Sequence, residues 1–405
     1  MGKDNEVKDI FDDIAGIISV KQLSEKYFNR HSSWFYHKLN EDRVNNVQYE
    51  FADAELDLLV SSLHDISARI NNSAQRLARL CERRKKQKGR FLTCCNPFNH
   101  EAFMQWWSEI DFNTFNPVIL EPFAGDCNIP KMLNNIGIVY DWSCYDIQPS
   151  KQEAYKVVKR NTLAKFPKSY DVCITNPPYL AKSSASRLKL PYPDTVYDDV
   201  YKMSLDLMLR HCKYVAAIIP ESFITSNLFL DRLDCVISLT QRLFTDTECP
   251  VCLALFSPSP KEVHIYRGER YIGTLGDLQQ HGISEYANGG NWQFNDPNGE
   301  IGVRCVDSKQ EADIFFCKGE VIQSDIHNSS RAFTRISGLP THIRLEDFIC
   351  CCNAILKQYR VDTNDIFLTS FKGLRADGLY RRRIDFHTIR AIMNKAVESF
   401  QKYIQ

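Results

Sequence analysis

The sequence predicts an α/β fold, a doubly wound parallel sheet with a helical module before it and a mixed α/β module after it. Three observations carry this. Between 118 and 256 short apolar runs alternate with helical stretches. Before 88 apolar residues recur at helical spacing, and after 257 a β-type pattern leads into two amphipathic helices. At roughly 150 residues per domain, the 405 residues correspond to two or three domains. The expected limits are 1–88, 89–257 and 258–405.

In the first module Val7, Ile10, Phe11 and Ile14, and again Leu56, Leu59, Val60, Leu63, Ile66 and Ile70, mark helices. No strand is expected there. Between them, 18–27 and 32–39 read as two short helices joined by a turn, with Ser19 and Ser32 as N-caps. This is the shape of a helix-turn-helix, and equally of a plain helical hairpin that buries Trp34 and Phe35. The stretch resembles a small helical domain of unknown function found in phage and mobile-element proteins, which assigns no activity. It ends in a basic segment, 76–90, with eight basic residues and one acidic. That segment suits a solvated helix end or phosphate contact.

Strands are expected at 118–120, 140–145, 170–174, 214–219, 236–239 and 251–256. Ser257-Pro258-Ser259-Pro260 then breaks every period, so a linker is placed there. Beyond it, 291–294 and 300–306 flank Asp296-Pro297-Asn298-Gly299 and predict a hairpin. Helices at 348–359 and 386–404 bracket a basic stretch that holds Lys372, Arg375, Arg381, Arg382 and Arg383.

Composition narrows the function. The chain is 44% hydrophobic and 25% charged, which is globular and unlike disorder. Fifty basic residues balance fifty acidic ones, so a polyanion must be met by local patches and not by an overall field. Fifteen cysteines, an odd number with adjacent pairs and triplets, read as reduced thiols and small buried hydrophobes, with no metal site expected. No apolar run approaches the roughly 18 residues of a membrane helix. A soluble, cytoplasmic protein is expected.

The chemistry concentrates in Asp171-Val172-Cys173-Ile174-Thr175-Asn176-Pro177-Pro178-Tyr179, a strand that runs into two prolines. Two prolines cannot extend a ladder, so they make a rigid turn at the strand's C-terminal end, where α/β sheets bind ligands. The Asn176 side-chain carbonyl and the Pro177 backbone carbonyl can each accept a hydrogen bond from one exocyclic amine, drawing its lone pair out of conjugation. Tyr179 offers a flat face for a planar ring.

With these motifs, 118–256 and its flanks resemble the catalytic domain of adenine-N6 DNA methyltransferases, a Rossmann-like fold that uses S-adenosylmethionine. The order of motifs matches the subgroup with a C-terminal target-recognition module, which implies that role for 258–405. The resemblance implies that the loop Glu121-Pro122-Phe123-Ala124-Gly125-Asp126 and Ile147 hold the cofactor, Asp146 its ribose hydroxyls, and Asn161 and Leu163 its adenine side. Phe91 and Thr93 would close over the methionine part. Asn176, Pro177, Pro178 and Tyr179 would form the catalytic turn, and Phe244 would join Tyr179 in stacking on the target base. Two departures stand out. Cys127 replaces a usual glycine, and Asn161 a usual aspartate.

The implied partner is double-stranded DNA. No pattern of spaced acidic residues and lysine marks a nuclease, so a restriction endonuclease would be a separate partner. The polar loop 180–187 is expected to be flexible beside the site. Two rivals remain open at this stage. One is a methyltransferase acting on RNA or a protein glutamine, and the other is a DNA-binding regulator with an inactive methyltransferase fold.

Overall fold

A computed structural model describes residues 6–88, 96–112, 117–149, 155–240, 243, 249–322 and 332–402, with the side chains of 6, 78–88 and 402 outside that description. The chain divides into two compact units, Met1–Arg84 and Lys85–Gln405.

In the first unit, α1 (Glu6–Ala15), α2 (Val20–Leu23) and α3 (Ser32–Leu39) precede the long α4 (Asp53–Lys88). Phe11, Leu23, Phe35, Leu39 and Leu59 form its core. Ser19 caps α2 as expected, accepting from the Gln22 N–H. The cap of α3 is not Ser32 but His31, whose ring nitrogen accepts from the Ser33 N–H at 3.3 Å. A short antiparallel pair, Arg43–Val44 with Val47–Gln48, also departs from the all-helical expectation. Two residues per strand are too few to show a period.

The second unit is built on a nine-stranded sheet. In chain order its strands are β1 (Ile119–Glu121), β2 (Trp142–Asp146), β3 (Val157–Lys159), β4 (Val172–Thr175) and β5 (Tyr214–Pro220). Then come β6 (Leu233–Ser238), β7 (Val251–Phe256), β8 (His264–Arg267) and β9 (Arg270–Thr274). Their spatial order is 3-2-1-4-5-7-6-8-9. Neighbours run parallel from β3 to β5, whereas β7 is antiparallel to both β5 and β6.

Strand periodicity explains how both faces are covered. On β7, Val251, Leu253 and Leu255 enter one core with Phe103 and Trp106 of α5 (Glu101–Ser108) and Leu133 of α6 (Asn128–Asn134). Cys252, Ala254 and Phe256 enter the other with Tyr201, Leu205 and Met208 of α8 (Val200–His211). Successive side chains point to opposite faces, so an unbroken apolar run is the mark of a strand buried on both sides.

Three expectations change. Ser257–Pro260 ends a strand and not the sheet, because β8 pairs in parallel with β6 beyond it. Proline excludes ladder hydrogen bonding locally and says nothing of where the chain goes next. Residues 180–187 are largely helical as α7 (Lys182–Leu188), tied down by the Lys182 N–H on the Asp198 carbonyl and the Leu180 N–H on the Asp199 carboxylate at 3.0 Å. The predicted hairpin does not form. The Asp296–Gly299 turn is present, but Phe294 of β10 (Gln293–Phe294) and Ile301 of β11 (Ile301–Arg304) both pair with Ile336. The strand carrying Ile336 comes from much later in the chain and lies between them.

The C-terminal part completes a four-stranded sheet with β12 (Phe315–Lys318) and β13 (Phe333–Ser337). It packs on α9 (Leu345–Asp362) and α10 (Phe386–Lys402) through Trp292, Phe316, Phe348 and Ile389. A hairpin, β14 (Thr369–Leu374) with β15 (Tyr380–Arg383), carries the basic stretch. Arg375 and Arg382 of that stretch face inward. Asp307, wholly buried, takes Arg360 at 2.9 Å and Arg375 at 3.0 Å. Arg382 reaches Glu221, just past β5, at 3.0 Å, with both side chains at most 5% exposed. Glu221 also accepts from the hydroxyls of Ser238 and Ser370. Burial alone would raise its pKa, and the Arg382 charge with these hydroxyls reverses that and holds it below the usual range.

Candidate active site

The site lies where the strand order turns back, at the C-terminal ends of β2, β1 and β4, which are adjacent in the sheet. Ligands of open α/β sheets bind at such a switch point. Glu121 is the last residue of β1, is 2% exposed, and has a buried Oε2 without a hydrogen-bond partner among the described residues. Burial pushes its pKa well above the ordinary carboxylate range, and nearby Cys127 and Asp146 push the same way.

The loop then turns back toward α6. The Pro122 carbonyl accepts from the Thr162 hydroxyl at 2.9 Å, and Phe123 packs on the core beneath. Gly125 has φ +51°, and none of the described residues comes within 4 Å of where its Cβ would point. Asp126 offers its carbonyl to Lys131 at 3.1 Å. Cys127 is buried and holds φ +53° as the residue before α6. This left-handed conformation favours glycine. Here a cysteine adopts it, with its thiol packed beside Cys144.

Asp146 ends β2 and staples two loops. Its Oδ2 accepts the Gly125 N–H at 2.9 Å and its Oδ1 the Gln148 N–H at 2.7 Å. Ile147 follows as an exposed apolar side chain, 51% accessible. Asn161 accepts from the Ala164 N–H at 3.3 Å, and Leu163 is half-buried beside it.

The Asn-Pro-Pro-Tyr turn leaves β4 as the rigid exit that two prolines dictate. Pro177 is buried, and Asn176, Pro178 and Tyr179 are half-buried. The Tyr179 ring meets Tyr201 edge-on at 6.3 Å, and its hydroxyl is 2.6 Å from both Asn176 Oδ1 and the Ile218 carbonyl. Thus Glu121, Gly125, Asp146 and Asn176 come from three neighbouring strand ends. Phe91, Thr93 and Phe244 lie outside the described residues.

Sequence reading missed two groups that support this geometry. Asp199 caps α8 and also holds the Leu180 N–H just after the turn. Its role as an N-cap was legible, and its second partner was not. Glu221 was hidden because its partner Arg382 is distant in sequence. The sequence does hold one Cys-x-x-Cys, Cys249 and Cys252, against the expectation that no such spacing occurs. Cys252 is buried in β7, and among the described residues no group of three or more His, Cys, Asp and Glu could hold a metal.

The second unit therefore has a Rossmann-like α/β fold, a central, mostly parallel sheet with helices on both faces. Residues 7–77 match a family described as a domain of unknown function, DUF5053. No curated protein matches the chain. Among solved structures, a protein from Vibrio vulnificus YJ016 assigned as the modification subunit of a type I restriction enzyme is similar over 55% of this chain and 54% of its own, at 13% identity and TM-score 0.31. A type I restriction-modification methyltransferase subunit from Streptococcus thermophilus is similar over 42% and 47%, at 15% identity and TM-score 0.30. The chain spans about half the length of both. A protein from Listeria monocytogenes assigned as a class I S-adenosylmethionine-dependent methyltransferase is similar over 66% of this chain and 94% of its own, at 16% identity and TM-score 0.30. Likenesses of this order transfer no residue role. No helix among the described residues is long and apolar enough to cross a membrane.

Proposed function

We propose that this chain transfers a methyl group from S-adenosylmethionine to the N6 amine of an adenine flipped out of duplex DNA. The observation that carries the reading is the convergence of the Gly125 loop, Asp146 and the Asn-Pro-Pro-Tyr turn on three adjacent strand ends at the switch point of the sheet.

The residues fit the cofactor. None of the described residues comes within 4 Å of the Gly125 Cβ position, so the backbone can approach a ligand. Glu121 Oε2 is a buried acceptor suited to a cationic amino group. Asp146 has lone pairs beyond those that staple the loops and can accept ribose hydroxyls, while Ile147 offers an exposed apolar face to a planar ring. When bound, the cofactor supplies an electrophilic methyl group on a sulfonium.

The chain does the rest by orientation. Asn176 Oδ1 and the Pro177 carbonyl accept the two amine protons, which turns the nitrogen lone pair out of the ring plane and toward the methyl group. Tyr179, joined by Phe244, clamps the extruded base by its faces. Adenine follows from the resemblance, in which asparagine before Pro-Pro-Tyr accompanies adenine and serine more often accompanies cytosine. The C-terminal module serves as the target-recognition part, and the basic end of α4 contacts phosphates. Within the C-terminal basic stretch, buried Arg375 and Arg382 are structural ion-pair partners, so DNA contact there falls to the other basic side chains. A restriction endonuclease, if the chain serves such a system, is a separate partner.

Single-molecule sequencing of DNA from cells expressing the protein tests this directly. Methyl-N6-adenine at one sequence motif is expected. Unmodified DNA together with labelled RNA or protein would overturn the substrate, and absence of S-adenosylmethionine binding in calorimetry would overturn the activity.

A further inference from the structure

The hydroxyl of Tyr179 occupies a position that ring stacking does not use. It stands 2.6 Å from Asn176 Oδ1 and 2.6 Å from the Ile218 carbonyl oxygen. Both neighbours are acceptors, and a phenol has one proton to give. Burial, reinforced by Cys249 and Cys252, pushes the hydroxyl's pKa well above its usual value, so that proton stays in place. When the proton serves Ile218, Oδ1 faces a lone pair.

A half-turn of the Asn176 amide removes the conflict. It brings Nδ2 to the phenol, so that Asn176 Nδ2–H donates to the Tyr179 oxygen and Tyr179 O–H donates to the Ile218 carbonyl. Every group in that relay is satisfied. Oδ1 is then released from the phenol and becomes available to an amine. Among the described residues the phenol is the one group that distinguishes the two ends of this amide, since no other hydrogen-bond partner of the Asn176 side chain occurs there.

We propose that the Tyr179 hydroxyl is a positioning group that sets which atom of the Asn176 amide meets the reacting amine. The inference rests on the methyl-transfer reading above. Without the hydroxyl, the amide's two ends are nearly isosteric, and an NH2 facing an amine donor is unproductive. A carboxylate at the same position has two equivalent oxygens and leaves nothing to sort.

That difference supplies the test. Tyr179→Phe keeps the ring, and should slow single-turnover methylation by about 5- to 10-fold, the upper range for one neutral hydrogen bond that positions a reacting partner. Its affinities for DNA and S-adenosylmethionine should stay within about 3-fold of wild type. Placed on Asn176→Asp, the same change should cost no more than about 3-fold. An equal loss in both backgrounds, or a fall in affinity that matches the fall in rate, overturns the proposal.

Side-chain amide NMR gives a readout free of activity. The Asn176 signals, assigned by their disappearance in Asn176→Asp, should show one slowly exchanging Nδ2 proton near the Tyr179 ring, lost in Tyr179→Phe. Two fast-exchanging protons in wild type would also overturn it. A protected proton in a protein that methylates nothing would leave the relay standing and remove the methyl-transfer reading instead.

Discussion

Asp146 gives the sharpest test of the cofactor site. Its two oxygens hold the Gly125 N–H at 2.9 Å and the Gln148 N–H at 2.7 Å. Asp146→Ala removes both charge-assisted bonds and the acceptors offered to the ribose. A hydrogen bond to a charged group contributes about 1.5–3 kcal/mol, and a loss of this order weakens binding by roughly 10- to 100-fold. Asp146→Asn keeps one acceptor oxygen without the charge, so it can serve one N–H of the two and should fall between, at about 3- to 10-fold. Isothermal titration with S-adenosylmethionine and separately with S-adenosylhomocysteine reads both variants. The two ligands share the ribose and differ at the sulfur, so both should weaken by the same factor. An unchanged dissociation constant for Asp146→Ala would remove the residue from the site. Weakening confined to S-adenosylmethionine would place it by the sulfur and refute the ribose assignment.

Asn176→Ala should leave DNA affinity near wild type while slowing single-turnover methylation by roughly 10²–10³, the usual loss for one preorganised polar group; parallel losses in binding and rate would deny that separation. Arg382→Met strands the Glu221 charge in a buried site and should destabilise the second unit by about 3–5 kcal/mol in urea unfolding, whereas adding Glu221→Leu should recover most of it. Because the folded pKa of Glu221 lies below its unfolded value, this pair's stabilisation is complete above the unfolded carboxylate pKa of about 4.3 and is lost as pH falls through the folded pKa. The wild type should therefore lose more stability on acidification than the Glu221→Leu, Arg382→Met double variant, and parallel acid profiles would count against it. Replacing Arg83, Arg84, Lys85 and Lys86 by glutamine should weaken DNA binding across all sequences and flatten its dependence on salt; an identical slope would return the segment to a solvated helix end.

The sequence by itself marked six strands of the central sheet and the rigid turn after Asn176. The run Val251 to Phe256 reads as a strand because its residues alternate between two cores, and the prolines after Asn176 announce a turn whatever surrounds them. Such features depend on neighbours a few residues away. Tertiary structure alone decided the reversed direction of β7, the placing of β13 between β10 and β11, and the extension of the sheet past Pro260. Pairing partners are chosen by burial and register across the whole chain, which no local period encodes. The same holds at the site. Asp146 was legible as an acid at a strand end, but its grip on Gly125 appears only when β1 and β2 lie side by side. Arg382 reads as one of three adjacent arginines in a basic stretch until the hairpin folds it onto Glu221, and its meaning reverses because desolvation makes a buried cation dependent on its partner.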